Sequence, residues 1–241
     1  MTSLIERPNL ARPDKKTIQE LFDAIPDQYD FLNSFMSFGL DLYWRRMTAE
    51  LAITGLEARI LDLGVGTGKS LAYFVKEHQF ELAVGCDFSL KMMERAKNRV
   101  GKKADFIACD FHELPFASGS FELITGSFML RSVQDMAKFL DEVRRVLTAG
   151  GKAVFLELTR PQNRMVWKLM YEPYLKYYVP FIGRILSRHK NAYDFLSQSV
   201  QSFIEPDRLA GEFRSAGFAE VSSRPFTFGA VTIIQASAGS L

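Results

Sequence analysis

The sequence predicts an α/β protein: a mostly parallel sheet with helices on both faces, preceded by a helical N-terminal extension. Three observations carry that prediction. Short apolar runs recur at residues 59–63, 82–86, 105–108, 121–124 and 152–158, separated by helix-length segments. Such spacing implies βαβ units with right-handed crossovers, hence parallel strands. The first run opens directly into a turn with three alternate glycines, Gly64, Gly66 and Gly68. The second and third runs each end in an aspartate, Asp87 and Asp110.

Residues 17–51 are helical in pattern. Ile18, Leu21, Phe22 and Ile25 recur at turn spacing until Pro26 interrupts; Tyr29, Leu32 and Met36 begin a second segment, and residues 44–51 form a third. Leu71, Phe74 and Val75 mark the helix after the first strand, and residues 89–92 open the next. Between residues 136 and 147, Phe139, Leu140, Val143 and Val146 fall on one stripe. A helix over 206–216 precedes two last strands, about 219–224 and 230–236, joined through Gly229 and read as an antiparallel hairpin at the sheet edge. Residues 160–190 differ in character. Arg160, Arg164, Lys168, Lys176, Arg184, Arg188 and Lys190 face one acid, Glu172, while Trp167, Tyr171, Tyr174, Tyr177, Tyr178 and Phe181 interleave them.

At 241 residues the chain is one large domain, or one domain with an extension, given about 150 residues per domain. An apolar share of 47% with 24% charged residues excludes a disordered tail, a fibrous repeat and a disulfide-stapled mini-protein. Thirty Lys and Arg against 28 Asp and Glu leave no chain-wide basic footprint, so no nucleic-acid partner is expected. Cys86 and Cys109 read as small buried hydrophobes in a reducing cytoplasm. His78, His112 and His189 lack ligand spacing, so no metal is expected. The N-terminus lacks the pattern of a signal peptide, and no apolar run approaches the roughly 18 residues of a spanning helix. The expected location is the cytoplasm, with the inner face of the membrane within reach.

Residues 61–70, LDLGVGTGKS, are the most informative stretch. Glycines between a strand and a helix let backbone approach a ligand, with helix N–H groups turned toward it. Three cofactor classes use such a loop, and spacing separates them. A triphosphate-binding loop needs four residues between its first glycine and Gly-Lys-Ser/Thr. Here only three separate Gly64 from Gly68, and the required position holds Leu63. The dinucleotide pattern Gly-x-Gly-x-x-Gly accepts Gly64 and Gly66 but meets Lys69 at its third position. Asp-Leu-Gly-x-Gly-x-Gly, from Asp62, fits throughout, as in methyltransferases that use S-adenosylmethionine. Asp87, 23 residues after Gly64, can accept from two ribose hydroxyls; the plain alternative is a helix cap before Ser89. Asp110 or its neighbouring backbone can meet the adenine amino group, the alternative being a turn aspartate before Pro115. Asp62 orients the loop or meets the methionine amino group, and Lys69 reads as a solvated helix residue.

From about residue 17 to 236 the chain resembles the quinone C-methyltransferases of menaquinone and ubiquinone biosynthesis. The marks are Tyr29-Asp30-Phe31-Leu32-Asn33 with Ser37 and Trp44, then Asp87-Phe88-Ser89 with Met92-Met93, and Leu114-Pro115-Phe116. Ser127-Phe128 with Leu130-Arg131, Arg145-Val146-Leu147 with Gly150-Gly151, Glu157, and Lys190-Asn191-Ala192-Tyr193 with Leu196 and Ser199 complete them. The resemblance implies the Rossmann-like class I methyltransferase fold, seven-stranded and mostly parallel with an antiparallel last strand. It implies residues 1–52 as a helical extension capping the substrate and 53–241 as the cofactor-dependent domain, with 160–205 a helical insertion facing substrate and membrane. With the loop, the candidate cofactor set becomes Asp62, Gly64, Gly66, Thr67, Gly68, Asp87, Phe88, Asp110, Phe111 and Ser127. Arg131, Ser132 and Tyr29 are the candidate catalytic residues, and Asn33, Arg131 and Tyr193 the candidates for substrate binding.

Four departures stand out. Ser132 replaces the family's usual Asn, Asp41 its His, Thr148-Ala149 its Lys-Pro, and Thr159 its Ser. Ser132 leaves the ring substrate open. The expected acceptor is a reduced, prenylated quinol, because loss of a phenolic proton pushes electron density onto a ring carbon. Arg131, permanently cationic, would stabilise the phenolate. His112, Tyr29 or Tyr193 could assist in the proton transfer. Residues 160–190 suit a cap at an anionic membrane surface; the competing reading is a solvated helix whose aromatics cap the core or make a homodimer contact. Two further functions stay open: methyl transfer to another lipophilic or amine acceptor such as a phospholipid headgroup, and a cofactor-binding, non-catalytic role in a quinone-making assembly.

Overall fold

The apolar runs resolve into one seven-stranded sheet of order β3-β2-β1-β4-β5-β7-β6. The computed structural model describes residues 26–186 and 203–239, with residues 19, 22, 23, 199 and 200. The strands are β1 (Arg59–Leu63), β2 (Leu82–Asp87), β3 (Asp105–Ala108), β4 (Phe121–Ser127), β5 (Leu147–Leu158), β6 (Val221–Phe226) and β7 (Val231–Ser237). β1 pairs in parallel with β2 and β4, β2 with β3, and β4 with β5, while β7 runs antiparallel to both β5 and β6. The last two strands do form a hairpin, but only β6 is at the edge. β7 is inserted against β5, its Val231, Ile233 and Ile234 wholly buried. β1 and β4 are buried almost along their length because both faces of a parallel sheet are covered.

Two helices of the extension, α1 (Pro26–Met36) and α2 (Leu40–Ala52), precede the sheet. Pro26, read as an interruption, is the first residue of α1, where its fixed φ and missing N–H cost nothing. The crossover helices are α3 (Lys69–Glu77), α4 (Leu90–Val100) and α5 (Met136–Val146). Phe139, Leu140 and Val143 of α5 pack with Phe155 and Phe213 on one face. On the other, Trp44 and Ala49 of α2 and Phe74 of α3 cover Ile60, Leu123 and Val154.

The aromatic, basic stretch is a continuous helical rod. It begins at Arg164–Val166, passes through π-helical turns at Trp167–Tyr171 and Tyr174–Tyr178, and ends as α6 (Val179–Leu186). Trp167, Leu175, Val179 and Ile182 meet Leu32 and Met36 of α1 and Met92 of α4 in a second core. α7 (Pro206–Ser215) returns the chain to the sheet.

The cysteines depart from expectation. Cys86 and Cys109 form a disulfide rather than lying as separate thiols. Parallel pairing sets Cys86 opposite Ile107 and Asp87 opposite Ala108, which brings Cys109, the next residue, beside Cys86. A separation of 23 residues in sequence hides a neighbour relation that only strand pairing creates.

Candidate active site

At the carboxyl ends of β1, β2 and β4 a crevice is lined by Gly64, Gly66, Asp87, Phe88, Met92, Phe111, Ser127, Phe128, Met129 and Ser132, with Phe22 and Tyr29 closing it from the N-terminal side. This is the usual ligand position in such sheets. Phe22 and Tyr29 lie over the crevice, which is open to solvent on one side.

Each glycine of the loop has a left-handed φ, yet two act differently. A Cβ on Gly64 would lie 2.8 Å from Met129 Cβ on the crevice wall, so glycine keeps that wall open. A Cβ on Gly68 would lie 2.9 Å from Ala96 of α4. Gly68 therefore serves close helix packing rather than the crevice.

The Asp87 carboxylate accepts from the Gly66 N–H (2.8 Å) and the Ser89 N–H (2.9 Å). One side chain thus ties β2 to the loop and to the start of α4, where Ser89 is the N-cap. Both readings of Asp87 meet here, since it bonds to Ser89 and also lines the crevice. Burial pushes its carboxyl up to about 6 against the pull of these N–H groups. Asp62 is buried too, and neither carboxylate oxygen has a partner among the described residues. Burial raises it to about 8, with the Arg45 guanidinium pulling down and the Asp87 carboxylate pushing up.

Arg45 had no place in the sequence reading. Its guanidinium lies 4.9 Å over the Phe128 ring and donates to Ser70 Oγ, which donates to Ser127 Oγ at 2.8 Å. Its Nε is buried without a hydrogen bond, 3.8 Å from Asp41 Oδ2. Lys69 is not solvated as expected. Its Nζ bonds Asp41 Oδ2 at 2.8 Å and Ser34 Oγ at 2.7 Å, so the aspartate at the family's histidine position holds two cations. Asp41→Ala is expected to cost about 3–5 kcal/mol, the range for removing one partner of a buried pair, read as a lowered denaturation midpoint with unchanged slope.

α1 is latched over the loop. Thr67 Oγ1 donates to Asp30 Oδ1 at 2.7 Å, and Arg99 bonds both Asp30 Oδ2 (2.6 Å) and the Thr67 carbonyl (2.7 Å). This brings Tyr29 to the crevice, where Arg45, Arg131 and the Asn33 side chain all favour its ionised form. Burial raises the Tyr29 pKa, so the hydroxyl keeps its proton. Arg131 is pinned by Glu157, which is wholly buried and accepts from both the Arg131 backbone N–H and its guanidinium. Burial lowers the guanidinium to about 10, with Tyr29 opposing; it stays cationic. Its Nε is buried without a hydrogen-bond partner.

Tyr29 and Ser132 thus line the crevice with Gly64, Asp87, Phe88, Phe111 and Ser127, while Asn33 and Arg131 stand behind Tyr29. Thr67 and Gly68 face α1 and α4 instead. Asp110 turns its carboxylate to the His112 N–H and Nδ1, both at 2.9 Å, and its neighbour Phe111 lines the crevice. His112 Nε2 accepts from the Asp135 N–H, away from the other candidates. Tyr193 lies outside the described residues. The missed residues are Arg45, Asp30 and Glu157. Asp30 and Glu157 stood among the family marks without a role; nothing local to Arg45 marks it.

The site offers the chemistry an amino-acid-bearing nucleoside needs. A carboxylate stands at the end of β2, glycine backbone faces the crevice, and behind it lie Asp62, whose oxygens have no hydrogen-bond partner among the described residues, and the Arg45 guanidinium. No group of His, Cys, Asp and Glu among the described residues could hold a metal ion.

Sheet order and site together define a methyltransferase-type α/β protein. A methyltransferase of Thermotoga maritima, dependent on S-adenosylmethionine and described as a possible histamine N-methyltransferase, shares the fold at a TM-score of 0.64. It is 19% identical, with 92% of this chain and 99% of that one covered. The chain belongs to the ubiE/COQ5 methyltransferase family, whose model matches residues 11–237. A demethylmenaquinone methyltransferase of Thermotoga maritima is 40% identical over 215 residues, 89% of this chain and 93% of its own. A ubiquinone/menaquinone biosynthesis C-methyltransferase of Desulfotalea psychrophila is 36% identical over 217 residues, 90% and 88% of the two chains. The protein is therefore a methyltransferase.

Proposed function

We propose that this methyltransferase moves the methyl group of S-adenosylmethionine to a ring carbon of a reduced, prenylated quinol, a demethylmenaquinol or ubiquinone precursor. The observation that carries the reading is Arg131. Its buried guanidinium is fixed by Glu157 with Nε lacking a hydrogen bond, within electrostatic reach of Tyr29, and both Tyr29 and the next residue, Ser132, line the crevice. The names of the relatives support the ring-carbon acceptor.

Gly64, Gly66, Asp87, Phe88, Phe111 and Ser127 would hold the cofactor, with Asp87 accepting from the ribose hydroxyls and Asp62 and Arg45 meeting the ammonium and carboxylate of its amino-acid end. When bound, that group supplies a methyl on a sulfonium, so the leaving group is already charged. The chain has to align and polarise the acceptor. Alignment alone is worth about 7–11 kcal/mol in favourable cases. Arg131 stabilises the phenolate whose charge flows to the ring carbon. Tyr29, protonated and anchored by Asn33, donates to a second ring oxygen, and Ser132 sits where the ring binds. α1 and the rod cap the acceptor. The prenyl tail brings the enzyme to the inner face of the membrane, and sedimentation velocity reads whether it forms a homodimer there.

Mass spectrometry of demethylmenaquinol incubated with protein and labelled S-adenosylmethionine should show one labelled methyl on ring carbon. Label on a phospholipid headgroup, or no transfer despite tight cofactor binding, overturns the reading. Binding should also respond to pH. With the Asp87 carboxyl raised to about 6, a proton competes with the ribose below that value. The cofactor Kd should then rise by up to tenfold per pH unit. The sign for folding is opposite. A carboxyl raised by burial costs the unliganded fold stability as pH climbs from its ordinary range to its raised value, so the loss from Asp87 is complete by about 6 and that from Asp62 continues to about 8. Calorimetry and denaturation from pH 5 to 8 check both.

A further inference from the structure

The rod above the crevice carries an apolar line that its packing does not use. Met165, Leu169, Tyr177 and Phe181 are 69%, 70%, 66% and 60% exposed, and Pro173 between them is exposed as well. These five residues stand at strict four-residue spacing. In an ordinary α-helix four residues overshoot one turn by about 40°, and such a line would wind around the rod. Two π-helical turns intervene. A π turn holds more than four residues, roughly 4.4, so there the same step falls short of a turn. Alternating α and π turns offset the drift, and the exposed line stands apart from Trp167, Leu175 and Val179, which pack into the second core. Met170, 56% exposed, widens it.

Exposed Arg164, Lys168 and Lys176 border the line, and Arg160 stacks on Trp167 at its head. Glu172 is the one acid between Arg160 and Lys190. Tyr178 stacks on Phe38 of the extension at 6.0 Å, and Phe38 is itself 73% exposed. Tyr174 donates to the Met36 carbonyl, tying the rod to α1. A merely solvated face would not present leucine, methionine and phenylalanine in line. Paired with a second copy, the line would bring like-charged flanks together.

We propose that this face lies in the surface layer of an anionic bilayer, with Leu169, Tyr177 and Phe181 among the headgroups and the flanking lysines on lipid phosphates. Through Tyr178 and Tyr174 this face is tied to α1, whose Tyr29 lines the crevice, so a ring tethered by a lipid tail would be drawn in from the membrane side. That second part rests on the proposed quinol acceptor; the surface itself does not.

The full chain is tested by sedimentation with vesicles of phosphatidylcholine alone and with phosphatidylglycerol. The wild type should partition onto phosphatidylglycerol vesicles at least tenfold more strongly than onto phosphatidylcholine, less so at high salt. The double variant Leu169→Glu/Tyr177→Glu should lose at least tenfold in partitioning at unchanged Tm, since both side chains are exposed. Lys168→Glu/Lys176→Glu should lose the lipid preference. Absence of vesicle binding, or equal binding by the apolar variant, overturns the proposal. So does a wild-type dimer, seen by sedimentation velocity, that the apolar variant dissociates. With a short-tailed, water-dispersed quinol the apolar variant should turn over like wild type, and it should fail only with a long-tailed quinol held in vesicles. Vesicle binding by a wild type that methylates neither quinol leaves the surface standing and sinks the acceptor.

Discussion

Arg131→Lys is expected to lower kcat by about 10²–10³-fold, the loss typical of one preorganised charge partner, while leaving the cofactor Kd within about twofold. Lysine keeps the charge opposite Glu157, so the fold tolerates the change. It lacks the planar fork that lets one nitrogen stay with Glu157 while another faces the acceptor. A shorter variant such as Arg131→Met would instead strand Glu157, wholly buried, and cost about 3–5 kcal/mol, confusing fold with chemistry. Single-turnover kinetics with saturating cofactor read the effect. Wild-type turnover by the lysine variant would remove Arg131 from the reaction. Glu157→Gln provides the companion measurement. Glutamine can still accept the Arg131 backbone N–H but no longer neutralises the guanidinium, so kcat should fall at nearly constant KM.

Asp87→Asn is expected to weaken cofactor binding by about 10²-fold or more, because hydrogen bonds to a charged group contribute roughly 1.5–3 kcal/mol each and the ribose offers two. Asparagine keeps one acceptor for the Gly66 or Ser89 N–H, so the loop retains part of its support. It also removes the group raised to about 6, and with it the fall in affinity at acid pH. Calorimetric titration with S-adenosylhomocysteine at pH 5.5 and 7.5 separates the two consequences. A variant that binds within threefold of wild type, with the acid dependence intact, would move the ribose contact elsewhere.

What the sequence determined by itself was local. A buried parallel strand needs an unbroken apolar run, so β1, β2, β4 and β5 could be located, with the exposed edge strand β3 showing as a short apolar run, and a turn that passes between strand and helix at positive φ favours glycine, so the loop could be found. Helix stripes on α5 followed from the 3.6-residue period. Asp87 was legible because its place depends only on the end of β2. The family marks added Tyr29, Asn33 and Arg131, of which the fold sets Tyr29 in the crevice lining and the other two within its electrostatic reach.

Only the tertiary structure decided the partners. Glu157 meets Arg131 because β4 and β5 pair in parallel with Ser127 opposite Leu156, a register that no spacing reveals. The same holds for Cys86 and Cys109 across β2 and β3, and for Lys69, whose amine reaches back to Asp41 on a helix 28 positions earlier. Asp110 shows the reverse. Its position at a strand end was legible, but its carboxylate turns to its own neighbour His112. Burial and direction of a polar side chain depend on what the rest of the chain places over it, so charge pairs across the sheet are fixed by packing and not by local pattern. The apolar line on the rod belongs to both levels: its residues can be read in the sequence, and the π turns that straighten it exist only in the fold.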